Sequence, residues 1–325
     1  MQTVGLDIGY MSVKCVTGLK SSFSIPSVVG TPDVSRISVK ANYDNMVVQF
    51  SGNQYLVGSA AVNQSRMTMR REDRHWFMSD EYIALLYASL STIGVKAKEI
   101  KLVTGLPVAF FDDKEAMKEI LTGHHEWTMN NEKFSAFIPD PVVTMQPFGT
   151  YLSLAFGGVN NRFDTEFVEK TVGVLDIGSK TTNILTARDL EEIRKDTTSI
   201  NIGGWEIMRA FRENVAKEYP AISDLLDHQV ADIVIRRKFR SFGAEVEIGE
   251  LIDRTIEPFA REIVAHASSV WNSGELIDDI VVTGGGAYLI FDEIKKAYPH
   301  ARRISDPVFG NAFGYWQFAE YLSNN

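Results

Sequence analysis

"VGVLDIGSKTTNIL", residues 172–185, runs through apolar residues to Asp176, reaches Gly178 two positions later, and then offers hydroxyls at Ser179, Thr181 and Thr182. Such a phrase reads as a strand, a tight turn that a side chain would obstruct, and a second antiparallel strand. Nearly the same phrase stands at residues 3–16, "TVGLDIGYMSVKCV", with Asp7, Gly9 and Ser12 in the matching places. The interval between the copies is far longer than a solenoid repeat, so the economical reading is two related domains that each open with this hairpin. Gly9 and Gly178 free the backbone N–H groups of each turn to converge on an anion. Ser12, Ser179, Thr181 and Thr182 add hydroxyl donors, and Lys14 offers a compact positive charge to a phosphate. Asp7 and Asp176 stand at strand ends, where a carboxylate can hold hydrated Mg²⁺ or orient water.

Composition narrows the class. At 325 residues, with 45% apolar and 23% charged side chains, the chain has room for two domains with cores of their own. Its apolar stretches are short, and its start has neither a basic region nor a cleavage pattern, so we expect a cytoplasmic chain without membrane contact. A net charge of −9 argues against direct nucleic-acid binding, which rests on Lys and Arg neutralising phosphates. The single cysteine, Cys15, lies inside an alternating strand and reads as a small buried hydrophobe. His124 and His125 are adjacent, without metal-ligand spacing, and read as surface or packing residues.

Along the first half, strands are expected at Val4–Ile8 and Val13–Thr17, followed by a loosely patterned segment, 21–75, with strand candidates at Met46–Phe50 and Tyr55–Val57. A helix is expected over Ser79–Leu90, with Ser79 as cap and Asp80 and Glu81 at the positive end of its dipole. A buried strand at Ile100–Leu106 and a helix at Asp113–Thr122 follow, and "PVVTMQPFGTYLSLAFGG" passes from strand through Gln146 and Pro147 into a helix starting near Gly149. The second half predicts helices at 204–217, 227–240 and 249–273, a strand at Ile280–Thr283, and a helix near Leu289–Ala297. An amphipathic helix over Asn311–Leu322 is expected to return to the first domain. Between that last strand and helix stand Gly284, Gly285 and Gly286, which suit either close approach to a flat ligand or a tight packing turn. The dinucleotide and Walker-type glycine patterns are absent.

In this order, "LDIGYMSVK", "MQPFGTYLSLAFG", "LDIGSKTTNI", "VVTGGGAYLI" and "NAFGYWQFAE" resemble the five nucleotide-site motifs of the actin, chaperone and sugar-kinase ATPase superfamily, over essentially the whole chain. Within it, "IPSVVG", "LVTGLPV", "MQPFGTYL" and "NIGGWEIMRAF" look most like the ParM-type bacterial and archaeal actin-like filament proteins of plasmid segregation. The resemblance implies an α/β actin-like fold of two related domains, each a mixed sheet flanked by helices, with nucleotide in the cleft between them. The first domain would be 1–168, with 21–75 as a small peripheral subdomain and 306–325 as its completing helix, and the second 169–305. The implied cofactors are ATP (or GTP) and Mg²⁺, the metal held by Asp7 and Asp176 through water.

The same resemblance places nucleotide contacts at Asp7, Gly9, Tyr10, Ser12 and Lys14 in the first hairpin. In the second it places them at Gly178, Ser179, Lys180, Thr181 and Thr182, with Gly204 beyond. Gly284, Gly285, Gly286 and Tyr288 match the adenosine segment. Gln146 stands where actin-like proteins position the attacking water, a place that often carries Glu in ParM-type sequences, and Asp176 joins it as a catalytic residue. Arg237, or a neighbour on the basic helix, would reach the ribose, with a solvated helix face as the alternative reading of "RRKFR". The implied function is a nucleotide-driven filament whose hydrolysis times disassembly, with itself and a DNA-binding adaptor as partners. A small-molecule kinase of the same fold, with Asp176 as base, is the alternative. A chaperone-like ATPase would need a further substrate domain for which this chain has no room.

Overall fold

The structure, a computed structural model, describes residues 1–32, 46–65, 68–69, 74–95, 98–157, 163–225 and 227–324. The chain divides into two compact units, Met1–Asp164 with Asn311–Asn325, and Thr165–Gly310. The first unit begins with β1 (Gln2–Ile8), β2 (Ser12–Gly18), β3 (Ser21–Pro26), β4 (Val29–Gly30), β5 (Met46–Phe50) and β6 (Asn53–Val57). Helix α1 (Ser59–Gln64), β7 (Thr68–Met69), α2 (Asp80–Thr92), β8 (Lys98–Leu106) and α3 (Lys114–Leu121) follow. The unit continues through β9 (Gly123–Met129), β10 (Glu132–Ile138), β11 (Val142–Met145) and α4 (Gln146–Ala155). β1 is antiparallel to β2 and parallel to β8, so that Gly5 lies opposite Val16 on one side and Val103 on the other. The strands run β3-β2-β1-β8-β10-β9-β5-β6-β4-β7, with β11 beside β8. Parts of the 21–75 segment, residues 33–45, 66–67 and 70–73, lie outside the described residues; its described strands continue this run of pairings.

Local chemistry explains the elements. The Ser79 hydroxyl accepts from the Tyr82 N–H at 3.2 Å and caps α2, whose first turn carries Asp80 and Glu81. A serine cap contributes about 1 kcal/mol. Tyr82, Leu85, Leu86 and Leu90 are buried against Val4, Leu6 and Leu102 on one face of the sheet, and each such aliphatic side chain contributes about 2 kcal/mol by leaving water. Cys15 joins this cluster, fully buried, and burial pushes its thiol up to about 12. Of the two histidines in β9, His125 is buried between the Tyr87 hydroxyl, 3.1 Å from Nδ1, and the Leu121 carbonyl, 2.9 Å from Nε2. α4 begins at Gln146, with Pro147 in its first turn, three residues before the expected start. Proline lacks an N–H that the first turn does not need, so it opens the helix.

The second unit contains α5 (Thr165–Val168), β12 (Val172–Ile177), β13 (Thr182–Arg188), β14 (Glu191–Glu192), β15 (Thr198–Ile200), α6 (Gly204–Val215) and α7 (Asp227–Arg236). It continues with β16 (Lys238–Ser241), β17 (Ala244–Glu247), α8 (Gly249–Trp271), β18 (Asp279–Thr283), α9 (Ala287–Ala297) and β19 (Arg302–Arg303). Its sheet runs β14-β13-β12-β18-β19, with β15 on β13, and β16 and β17 form a separate ribbon. The Trp271 indole of α8 donates to the Thr186 hydroxyl at 2.7 Å and lies over Gly173, where a Cβ would come within 2.8 Å of the ring. The expected helix 227–240 ends instead at Arg236: Arg237 takes a φ of 61°, and the chain turns into β16. A left-handed residue stops a helix as a C-terminal cap does. Among the described residues, no helix is long and apolar enough to cross a membrane.

The last helix, α10 (Gly310–Asn324), belongs to the first unit. It lies on the sheet face opposite α2, where Gly5 and Gly105 leave room for Trp316 and Tyr315, and Val103 packs on Tyr315 and Ala319. It also meets α4: Asn311 Oδ1 accepts from the Thr150 N–H and hydroxyl, at 3.2 and 2.7 Å. A Cβ at Gly314 would stand 1.7 Å from the Gly149 carbonyl oxygen, a distance no side-chain adjustment relieves. Gly314→Ala is therefore expected to destabilise the first unit by about 3 kcal/mol, at the upper end for overpacking. Denaturant unfolding followed by circular dichroism checks this; an unchanged midpoint would show that α10 shifts without cost.

Candidate nucleotide site

In the first hairpin Asp7 ends β1 directly across from Lys14 in β2. The Gly9 N–H donates to the Ser12 carbonyl at 3.2 Å and closes the turn, and the Ser27 hydroxyl holds the Gly9 carbonyl at 2.6 Å. Asp7 as a residue is 5% exposed. Lys14 Nζ lies 3.7 Å from its Oδ2, and Gln146 Nε2 donates to its Oδ1 at 3.3 Å. At that separation the ion pair has roughly 4 kcal/mol of Coulomb attraction at an effective dielectric of 20, a large part of it offset by desolvation. A phosphate near the turn can therefore compete for Lys14. The Tyr315 hydroxyl donates to the Gln146 carbonyl at 3.2 Å, so α10 fixes the start of α4 from behind. Tyr10, in the turn, stacks on Trp76 with centroids 5.0 Å apart.

The second hairpin repeats this geometry with a different support. Asp176, also 5% exposed, pairs in register with Asn183, and the Gly178 N–H donates to the Thr181 carbonyl at 2.9 Å. The first turn of α6 then closes on it: the Gly204 and Trp205 N–H groups donate to the Gly178 and Ser179 carbonyls at 2.9 and 2.7 Å. Gly204 thus serves the turn from its rear. The neighbouring Gly203, which the sequence reading did not single out, is the residue that permits this approach, because a Cβ there would come within 2.5 Å of the Ser179 carbonyl oxygen. The glycine doublet in "NIGGWE" was the available signal. Ser179 and Lys180 are half-buried, Thr181 is buried, and the fully buried Thr182 donates its hydroxyl to the Ile202 carbonyl at 2.7 Å.

The three glycines divide their work. Gly284, at φ 83°, would place a Cβ 2.3 Å from the Ile177 carbonyl oxygen and 2.6 Å from Asp176 Oδ1, so it is packed against the second hairpin. Gly286 donates to the Ile177 carbonyl at 2.9 Å, and its missing side chain would strike the Ile177 methyl. Gly285 differs: a Cβ there meets nothing within 4 Å. Tyr288 is partly exposed, and the Arg303 guanidinium lies 4.8 Å from its ring centroid. Arg237 is engaged elsewhere, Nη2 donating to the Gly249 carbonyl at 2.9 Å and to Asp253 at 2.6 Å. It ties β16 to the start of α8.

Among the described residues no three His, Cys, Asp or Glu side chains gather as a metal cage. Asp7 and Asp176 are each nearly buried carboxylates at a strand end, the donor type that suits Mg²⁺, which keeps most of its waters and takes its other ligands from substrate phosphates.

These features have counterparts in known proteins. A family model of the N-terminal domain of actin-like proteins matches residues 5–149, and one of the C-terminal part of archaeal MreB-like actin homologues matches residues 174–296. No curated protein matches significantly. Among solved structures, an archaeal actin homologue is 21% identical, with 99% of this chain and 100% of that chain covered and a TM-score of 0.82. A Clostridium botulinum ParM, solved as a 15-stranded filament, is 22% identical over 98% of this chain and 99% of that chain, with a TM-score of 0.78. Bacillus thuringiensis ParM with ATP is 16% identical, with full coverage of both chains and a TM-score of 0.72. Domain models over both halves and fold matches over nearly the whole length agree, and the chain belongs to the actin-like proteins, with the fold of ParM and the archaeal actin homologues.

Proposed function

We propose that the chain is a cytoplasmic, ATP-dependent filament protein, in which each hairpin supplies amides and hydroxyls to the phosphates of one ATP (or GTP) and hydrolysis times disassembly. The observation that carries this reading is the Gln146–Asp7 contact, which joins the start of α4 to the first hairpin. With Nε2 committed to Asp7, Gln146 keeps Oε1 as the acceptor for a water proton, the role of a water-positioning residue in phosphoryl transfer. Lys14 exchanges its contact with Asp7 for the phosphates, and Asp176 orients the attacking water from the other hairpin. Asp7 and Asp176 would hold Mg²⁺ through water, and the ion would supply neutralisation of charge on the phosphate oxygens. Gly285 leaves the main chain open to the base and sugar. Filament formation is supported by similarity to the Clostridium botulinum ParM filament. The net charge of −9 suits a DNA cargo reached through an adaptor rather than directly.

The purified protein is expected to release phosphate from ATP with no added acceptor, its specific activity rising with protein concentration as sedimentable polymer appears. Turnover that waits for a small-molecule acceptor, at a specific activity independent of concentration, would assign the chain to the kinases of this fold. Asp176→Ala is expected to keep nucleotide and lose at least about tenfold in hydrolysis, or about 1.4 kcal/mol of barrier. A loss of less than about threefold removes Asp176 from the reaction. Gly285→Val is expected to weaken nucleotide binding about tenfold or more while leaving the unfolding midpoint in place, since its side chain enters open space. Titration calorimetry with ADP decides the point, and unchanged affinity would remove Gly285 from the nucleotide site.

A further inference from the structure

Two arginines stand side by side in β19, and they are held in different ways. Arg302 closes on Asp279 at the start of β18, its Nη2 donating to Oδ2 at 2.6 Å. Arg303 is exposed, and among the described residues its guanidinium has no ion-pair or hydrogen-bond partner. It lies instead over two rings of α9, 4.8 Å from the centroid of Tyr288 and 5.7 Å from that of Phe291. Side chains at this spacing share one helix face. A guanidinium stacked on aromatic rings is held in one plane, while its N–H donors, which lie in that plane, stay open at its edge.

That donor edge belongs to the same end of the second unit as the glycine triplet. Arg303 pairs in register with Val282, and β18 then leads through Thr283 into Gly284. The chain beyond β19 stays beside the triplet, since the Pro307 carbonyl accepts from the Gly284 N–H at 2.8 Å and from the Thr283 hydroxyl at 3.1 Å. Tyr288 is in the first turn of α9. Helix side chains lean toward the helix N-terminus, which for Tyr288 is the side of Gly285, the glycine that faces open space. An aromatic ring that is 45% exposed and an unspent fork of donors thus stand next to the open main chain.

We propose that Arg303 selects the base of the bound nucleotide, favouring guanine over adenine. The selection rests on the nucleotide reading above, which puts base and sugar at Gly285. Guanine presents two acceptors, O6 and N7, to a planar fork of donors, whereas adenine carries at the first of these places an amino group that is itself a donor. Adenine therefore satisfies one arm of the fork and sets the other against an N–H. Tyr288 and Phe291 fix the plane of the guanidinium, and its edge makes the choice. Because the choice is made at O6 and N7, hypoxanthine, which keeps both and lacks the 2-amino group, is accepted as guanine is.

Titration calorimetry on the full chain with GDP, IDP and ADP tests the assignment. The natural chain is expected to bind GDP and IDP alike and ADP about tenfold or more weakly. Arg303→Met keeps an apolar stem over the rings and removes the donors, so it is expected to weaken GDP and IDP about tenfold while leaving ADP within about twofold. ADP bound by the natural chain as tightly as GDP overturns the proposal, whatever becomes of the variant. So does IDP that follows ADP, which would place the selection at the 2-amino group, or a folded Arg303→Met chain in which the ratio of GDP to ADP affinity is unchanged. A natural chain that binds none of the three removes the nucleotide site and the selection with it, whereas equal binding of all three removes the selection alone.

Discussion

Main chain lies against main chain at the points on which both units depend, with nothing larger than a hydrogen atom between. In the second unit the Gly286 N–H reaches the Ile177 carbonyl and Gly284 abuts that same carbonyl, so the second hairpin and the start of α9 are held by peptide groups. In the first unit Gly149 and Gly314 bring α4 and α10 together, and α10 in turn places the carbonyl of Gln146. Contacts of this kind have few soft degrees of freedom, because the peptide is planar and its hydrogen bonds directional. Preorganised groups of this sort are what phosphoryl chemistry asks of a protein.

The charged groups of the first hairpin follow a different logic. Lys14, Asp7 and Gln146 satisfy one another in the protein alone, so none is left as an uncompensated buried charge or amide. In the function proposed above, anion binding would be an exchange of partners. The cost of desolvating Lys14 is already met in the folded chain, and the same applies to the carboxylate.

What could be read in the sequence was what is local. The Asp-x-Gly hairpins, the Ser79 cap and the glycine triplet each announce themselves within a dozen residues, because turn chemistry and capping are short-range. The β9–β10 hairpin escaped notice although its turn was present: Asn130 and Asn131 both take positive φ, at 52° and 66°. Its buried face includes His125, whose polar atoms find Tyr87 and Leu121 only after folding, and a histidine does not signal a core position from sequence. Arg237 shows the opposite limit. In sequence it belongs to a basic run, while in space it is set by Asp253, sixteen residues away. The division among the three glycines, two against Ile177 and one facing open space, likewise depends on a strand distant in sequence.

The burial of Cys15 has a chemical consequence. With its thiol pushed up to about 12 by burial, about one molecule in 10⁵ is ionised at neutral pH, and the thiolate is the species that attacks maleimides, disulfides and peroxide. The sulfur is also fully shielded from solvent. Since it is the only cysteine in the chain, the folded protein is expected to react slowly with thiol reagents, so that a dye or spin label attached through a cysteine introduced at the surface reports from that one place.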